Sequence, residues 1–292
     1  MTRVLVLGST GMLGSMTNGY LSRNPALEVV GSDRTTFDAE SFALGAAQPL
    51  ALRADYIVNC IGIIKPYCKD DDPAGVRRAI VVNALFPHRL AAAAGKTGAR
   101  LIQIATDCVY SGAKGGYLES DAHDPLDVYG KTKSLGEPFD GSMLNVRCSI
   151  IGPELKGRVS LLEWFLANPD GAELNGFAHH RWNGVTTLQF AQLCETIIAG
   201  NAYEALLRVS HTHHFVPNDA LDKFELLCEM QRAYGTKFRI RKVDNVGPPV
   251  DRTLASRFGV LRELVGQSSI AEALDELRRY VEARAAAAAT RS

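Results

Sequence analysis

The apolar run Val4-Leu5-Val6-Leu7, followed by Gly8-Ser9-Thr10-Gly11-Met12-Leu13-Gly14, leaves this chain few ways to fold. Four consecutive apolar residues read as a strand buried on both faces. Glycines at 8, 11 and 14 permit a tight turn, a close backbone approach and dense packing of the next helix on the strand. A strand, a glycine turn and a helix start in this order can hold a dinucleotide pyrophosphate against backbone N–H groups and the positive end of a helix dipole. The same turn also occurs in βα units that bind nothing, so the rest of the chain has to decide between the two.

The first half alternates. Strand patterns at Arg3–Leu7, Leu27–Gly31, Ala54–Cys60, Leu101–Ala105 and Met143–Cys148 are separated by helical patterns at Met12–Ser22, Ala79–Ala94 (with Pro87 as a kink) and Val128–Gly136. Apolar strands interleaved with helices predict an α/β fold, a doubly wound parallel sheet of Rossmann type. Beyond residue 150 the pattern loosens. Helices are expected at Leu161–Leu166, Leu188–Ile198, Leu221–Arg232 and Ile270–Ala285, and a short strand at Leu206–Val209. Residues 177–184 and 211–214 read as loops. The expected organisation is a cofactor-binding domain over 1–150 and a smaller, mainly substrate-binding C-terminal lobe over 151–292, part of which returns to the first domain.

The cofactor-facing set follows from this frame. Gly8, Thr10, Gly11, Met12, Leu13 and Gly14 form the pyrophosphate turn. Asp33 closes the second strand at about the 20-residue distance where a carboxylate meets the adenosine ribose. Arg34 complicates the choice of cofactor. A carboxylate disfavours a 2′-phosphate, whereas an adjacent guanidinium favours it through bidentate contacts. Either NADH or NADPH is therefore accommodated, with the balance toward NADPH. Asp38 is placed to reach the adenine or to cap the helix that starts at Ala39. Cys60, Ile61 and Gly62 leave the third strand at the carboxyl edge of the sheet, where open α/β folds bind ligands.

Reducing a carbonyl with a nicotinamide needs a proton donor, a charge that lowers the donor's pKa, and a group that polarises the carbonyl. Tyr129 and Lys133 stand four apart on one helix face, so the phenol can donate and the ammonium can assist it and bind the nicotinamide ribose. Thr106 leaves the strand ending in Ala105 and brings a hydroxyl to the same edge. Ser149, just past a later strand, fits either a carboxamide contact or a turn.

Ala105-Thr106-Asp107-Cys108-Val109-Tyr110-Ser111-Gly112, with Tyr129-Gly130-Lys131-Thr132-Lys133-Ser134-Leu135-Gly136-Glu137, resembles the extended short-chain dehydrogenase/reductases. Among them it is most similar to the dTDP-4-dehydrorhamnose reductases and related sugar-nucleotide reductases, well over about residues 1–150 and more loosely beyond. The resemblance implies a catalytic set of Thr106, Tyr129 and Lys133. It also implies reduction of the C4 ketone of a nucleotide-activated 4-keto-6-deoxysugar in polysaccharide or deoxysugar biosynthesis, and substrate binding by the C-terminal lobe. On the substrate side stand Thr106, Asp107 and Tyr129, joined by Arg181, Trp182 and Arg252, since a nucleotide diphosphate needs cations and a base needs an aromatic wall. Core packing for Trp182 and a surface pair for Asp251 and Arg252 are the plain alternatives. Ala105 and Cys108 depart from the serine and aromatic usual in the rhamnose enzymes, and residues 177–182 are longer and richer in histidine; these departures bear on the identity of the sugar.

Other classes are disfavoured. With 32 Lys+Arg against 32 Asp+Glu the formal charge is +0, and no basic stripe suits a nucleic acid. No apolar stretch is long enough for a membrane span, and the chain start has no signal-peptide pattern. The 6 cysteines are scattered with no CxxC pair, as in a reduced cytoplasmic protein. His179-His180 and His211-Thr212-His213-His214 lack metal-ligand spacing, so no metal is expected. An epimerase or dehydratase on the same fold, and a non-catalytic nucleotide-binding regulatory subunit, are the competing readings. Some relatives pair helices into homodimers, but no such face stands out in the sequence.

Overall fold

The computed structural model describes residues 1–46, 52–244 and 246–290. The first half runs β1 (Thr2–Leu7), α1 (Met12–Leu21), β2 (Leu27–Ser32), α2 (Ala39–Ala43), β3 (Tyr56–Asn59), α3 (Pro73–Ala79), α4 (Phe86–Thr97), β4 (Arg100–Ala105), α5 (Val128–Leu135) and β5 (Leu144–Arg147). The second continues with β6 (Ile150–Ile151), α6 (Leu161–Leu166), β7 (Glu173–Phe177), β8 (His180–Trp182), β9 (Val185–Thr186), α7 (Thr187–Ala199), α8 (Tyr203–Val209) and β10 (Thr212–His214). It closes with β11 (Leu221–Asp222), α9 (Lys223–Tyr234), β12 (Arg239–Val243), β13 (Val250–Asp251), α10 (Val260–Val265) and α11 (Ile270–Ala289).

A six-stranded parallel sheet in the order β10-β5-β4-β3-β1-β2 forms the centre. Its strands bury side chains on both faces, as their near-continuous apolar runs require. Val4, Val6, Tyr56, Val58, Ile102 and Val146 face one core, which α7 and α8 help to close. Leu5, Leu7, Ile57 and Leu101 face the other, with Phe37 beside α2 and Phe86 and Leu90 of α4. The chain turns outward in opposite directions from β1 to β2 and from β1 to β3. The crevice between β1 and β3 is thus the switch point at which doubly wound sheets bind ligands.

Three local expectations are corrected. Leu206–Val209 is not a strand; it is the last part of α8, with Leu206 buried and its carbonyl accepting from Ser210 N. Residues 211–214 are not a loop. Thr212–His214 form β10, buried throughout, whose register with Asn145–Arg147 of β5 completes the central sheet. Residues 177–184 likewise hold the end of β7 and all of β8, each paired in its own small sheet. A short run rich in histidine carries no period, so only pairing with distant strands makes it extended.

The helix expected over Ala79–Ala94 is present with an irregularity. Between α3 and α4, residues Ile80–Leu85 form a wider π-turn, and Pro87 sits in the first turn of α4. Proline has no N–H for the carbonyl four residues back, that of Asn83. The second lobe has its own core of Leu162, Phe165, Trp182, Leu226, Met230 and Leu274, among others. The C-terminal half therefore does two jobs: α7 packs on α1 and β10 joins the sheet, while α6, α9 and α11 build the second lobe.

Candidate active site

Gly8 ends β1 with a left-handed φ of +80°. A Cβ there would stand 2.9 Å from Ile61 Cγ1, and one at Gly14 would collide with the Gly8 carbonyl. The turn is thus closed down on itself and on the β3 loop, as the glycines require. α1 follows its N-cap Gly11 without a side-chain cap or an acidic residue in its first turn, unlike α5, α7 and α9, which Asp127, Thr186 and Asp222 cap. Its first N–H groups are left for an outside acceptor, which suits a pyrophosphate.

Two adjoining cavities, of about 720 and 190 Å³, open along this edge of the sheet. Gly8, Thr10, Gly11, Asp33, Arg34 and Asp38 line the smaller one. Thr10, Gly11, Met12, Leu13 and Arg34 line the larger one, and Cys60, Ile61 and Gly62 line both. Gly14 lines neither; it is the contact that seats α1 on the turn. Asp33 Oδ1 accepts from Thr35 N at 2.9 Å and Thr35 Oγ1 at 2.6 Å, contacts that hold the carboxyl below its usual pKa. Asp38 is the N-cap of α2 and accepts from Ser41 N at 3.2 Å, so the capping alternative is realised at a position that still borders the cavity.

The far end of the larger cavity holds Ala105, Thr106, Asp107, Tyr129, Lys133 and Ser149. Thr106 Oγ1 donates to Asp107 Oδ1 at 3.1 Å and accepts from Cys108 N at 3.2 Å, so its hydroxyl is fixed at the tip of β4. Lys133 is buried. Its Nζ donates to the Ile104 carbonyl at 3.0 Å and lies close to Gly62. Burial drives the Tyr129 phenol well above its ordinary pKa, and the Thr106 side chain pulls the other way. Burial also lowers the Lys133 pKa, against the opposing pull of Glu137. Lys133 is thus held by a backbone carbonyl one helical turn from Tyr129, and both residues line the same cavity. Burial pushes the neighbouring Cys60 and Cys108 thiols up to about 12, which keeps them inert.

Behind Lys133, Glu137 and Arg147 form a buried ion pair, with Nη2 to Oε2 at 2.7 Å. Arg147 Nη1 also donates to the Tyr110 hydroxyl at 2.9 Å and lies 3.2 Å from His214 Nε2. This network ties the end of α5 to β5, β10 and the segment after Thr106. It pins the helix that carries Tyr129 and Lys133.

Three substrate-side candidates lie away from the cavities. Arg181 is half exposed and pairs with Asp251 at 3.8 Å. Trp182 is 4% exposed and belongs to the second-lobe core, as in its plain alternative; it is not an open wall. Arg252 is not part of a surface pair. Its Nε donates to the Tyr110 carbonyl at 3.0 Å, which brings its guanidinium against the segment after Thr106.

Several residues at the site were not legible in the sequence. Lys65 pairs with Asp127 at 2.7 Å and lies 5.9 Å from the Tyr129 ring centre. Asn83, in the π-turn, accepts from Ile63 N at 2.8 Å and donates to the Ile63 carbonyl at 2.9 Å, which fixes the loop beyond Gly62. One signal pointed to it: a lone amide in the apolar run from Ala79 to Leu85. Leu155 and Val159 border the cavity from a segment after β6 that has no periodicity. Among the described residues, no group of three or more side chains could hold a metal, and no helix is long and apolar enough to cross a membrane.

Residues 1–147, from β1 through β5, match the RmlD substrate binding domain family. The dTDP-4-dehydrorhamnose reductase of Mycobacterium tuberculosis (strain ATCC 25618 / H37Rv) is 32% identical over 145 residues, 46% of this chain and 44% of that protein. Methionine adenosyltransferase 2 subunit beta of Xenopus tropicalis is 32% identical over 143 residues, 46% of this chain and 41% of that protein. The chain thus spans less than half the length of these curated relatives. The crystal structure of dTDP-4-dehydrorhamnose reductase from Bacillus anthracis in complex with NADP aligns with a TM-score of 0.74 and 20% identity, over 96% of this chain and 99% of that one. At that identity the likeness is one of fold. Since the family match runs through the glycine turn, Thr106, Tyr129 and Lys133, the chain belongs to the RmlD substrate binding domain family, within the extended short-chain dehydrogenase/reductases.

Proposed function

We propose that this protein is an NADPH-dependent reductase of the C4 ketone of a nucleotide-activated 4-keto-6-deoxysugar. The observation that carries the reading is that one cavity is lined both by the uncapped glycine turn and by Thr106, Tyr129 and Lys133. Gly8, Gly11 and the α1 N-terminus would hold the pyrophosphate, Asp33 and Arg34 the adenosine end, and Lys133 and Ser149 the nicotinamide end. When bound, the nicotinamide supplies the hydride for the carbonyl carbon.

The chain's own residues supply the rest. Tyr129 gives its phenolic proton to the sugar oxygen as negative charge develops there. A desolvated phenol holds that proton firmly until the oxygen becomes the stronger base, and Thr106 orients the phenol through the hydroxyl that Asp107 fixes. Lys133, near Gly62, places positive charge beside the phenolate left behind. The Asn83 loop and the 154–161 segment flank the cavity, and the exposed Leu155 and Val159 offer apolar surface to a nucleotide base.

The test follows NADPH absorbance with dTDP-4-dehydrorhamnose as substrate. Oxidation of NADPH is expected. NADPH binding without turnover on this or other 4-keto sugar nucleotides would instead favour a non-catalytic nucleotide-binding subunit, the reading that the similarity to methionine adenosyltransferase 2 subunit beta brings forward. A homodimer remains a subsidiary proposal, to be read from the solution mass.

A further inference from the structure

Tyr129, Lys133 and Glu137 follow one another at steps of four residues. That spacing puts a phenol, an ammonium and a carboxylate along one side of α5 and the turn that ends it. α5 stops at Leu135, and Gly136 seats the chain closely on the preceding π-turn: a Cβ there would collide with the Asn83 carbonyl. Glu137 is thereby buried, one turn beyond the buried Lys133.

A buried carboxylate and a buried ammonium at this spacing would ordinarily pair. Here they do not. Among the described residues Glu137 makes no hydrogen bond or ion pair with Lys133, whose Nζ donates to the Ile104 carbonyl at 3.0 Å. Both Glu137 oxygens accept from Arg147 instead: Nε donates to Oε1 at 3.1 Å and to Oε2 at 2.9 Å, and Nη2 donates to Oε2 at 2.7 Å. The charge of Glu137 is still felt at Lys133, where burial disfavours the ammonium and Glu137 favours it.

The guanidinium is itself held in place. β5 sets Arg147 between Ala105 of β4 and His214 of β10, inside the central sheet. Its Nη1 donates to the Tyr110 hydroxyl at 2.9 Å and to His214 Nε2 at 3.2 Å. His214 Nδ1 donates to the Ala255 carbonyl at 2.7 Å, which leaves Nε2 bare to accept. Tyr110 donates its own proton to the Leu118 carbonyl at 3.0 Å.

We propose that Arg147 is a positioning residue: by occupying both oxygens of Glu137 it keeps that carboxylate off Lys133, and so leaves the ammonium at the cavity wall beside Gly62. This rests on the reductase reading, in which Lys133 holds the nicotinamide end of the cofactor. Without Arg147, a buried carboxylate lacking its partner has one cation within a helical turn, and that cation is Lys133. The ammonium would then be drawn along the helix, away from the cofactor.

Arg147→Met, Glu137→Gln and the two changes combined test this. Each single change breaks the same buried pair, so each should lower the melting temperature, and a merely structural pair would give the two similar activity. The proposal requires them to differ. Arg147→Met should lose about ten- to a hundredfold in NADPH affinity, the size of one charge-assisted contact, and turnover should fall with it. Glu137→Gln leaves Lys133 in place and should stay close to the wild type in both. The double variant should recover to the level of Glu137→Gln. Acetylation of Lys133 by acetic anhydride in the cofactor-free proteins, read by mass spectrometry, gives a second measure. An ammonium taken up by Glu137 reacts slowly, so Arg147→Met should be acetylated at Lys133 several-fold more slowly than the double variant. Equal NADPH affinity in the two single variants, or equal acetylation of Arg147→Met and the double variant, overturns the proposal. Should Arg147→Met fail to fold, Glu137→Gln decides, because a loss of NADPH affinity there as large as that foreseen for Arg147→Met also overturns it. If the wild type binds no NADPH, the reductase reading falls, and the acetylation rates still decide whether Arg147 keeps Glu137 from Lys133.

Discussion

In the proposed reaction Tyr129 is the proton donor, and its surroundings set the size of the effect. Tyr129→Phe keeps the ring between Lys65 and Thr106 but removes the hydroxyl. Turnover should fall by about 10²–10⁴, the usual range for a lost general acid, with far smaller changes in NADPH and substrate affinity. Steady-state kinetics beside fluorescence titrations would show the split, and wild-type turnover in the variant would end the mechanism. In the proposed cofactor site Arg34 and Asp33 would divide the adenosine end between them. Arg34→Ala should lose roughly ten- to a hundredfold in NADPH affinity and little in NADH affinity, while Asp33→Ala should do the reverse. Equal losses for both cofactors in Arg34→Ala would show that the guanidinium does not read the 2′-phosphate. The type and order of these residues were legible in the sequence because catalysis constrains identity. Lys65 and Asn83 were not, since a lone lysine or amide has no pattern until the fold gives it neighbours.

At the scale of the element, the glycine turn separates two physical demands that look alike in sequence. Gly14 is needed for packing, because any Cβ meets the Gly8 carbonyl. Gly11 has room for one, with its nearest neighbour at 3.4 Å, but borders both cavities. Gly14→Ala should therefore lower stability by about 1–3 kcal/mol, the usual cost of overpacking. Gly11→Val should melt close to the wild type and yet lose NADPH binding, because its side chain stands where a pyrophosphate would approach. Thermal melts and NADPH titrations on both variants check this, and the reverse pattern would refute it. The helix over 79–97 shows the same layering. Pro87 announced an irregularity, but whether that would be a kink or a π-turn depended on how the neighbouring segments packed. In the event the turn carries Asn83, which grips the loop after Gly62.

Across the whole molecule, the two halves are joined by a buried polar network. His214 of β10 accepts from Arg147 Nη1 at Nε2 and donates from Nδ1 to the Ala255 carbonyl at 2.7 Å. Burial lowers the pKa of His123, His213 and His214 below the ordinary 6.5. Folded, these rings stay neutral to lower pH, whereas unfolded they take up protons near 6.5, so the unfolded state binds more protons in that range. Stability is then fully present above about pH 6.5 and declines as pH falls below it. The lowered carboxyls of Glu119, Asp124 and Asp127 extend the decline at lower pH. The melting temperature should be several degrees lower near pH 5 than near pH 7.5. An unchanged value would mean that these rings are protonated within the fold.

The sequence by itself determined the class of fold, the glycine turn and the Thr106, Tyr129 and Lys133 set. Each of these rests on local order: consecutive apolar residues make doubly buried strands, glycines at close spacing make a turn, and residues four apart share a helix face. Only the tertiary structure decided that Thr212–His214 is a strand of the central sheet, that Trp182 lies in a core, and that Arg252 bonds the Tyr110 carbonyl beyond the turn after Thr106. Those outcomes depend on pairing between segments far apart in the chain, where the energy comes from the partner strand and the burial it brings. No window of sequence around one segment contains that partner.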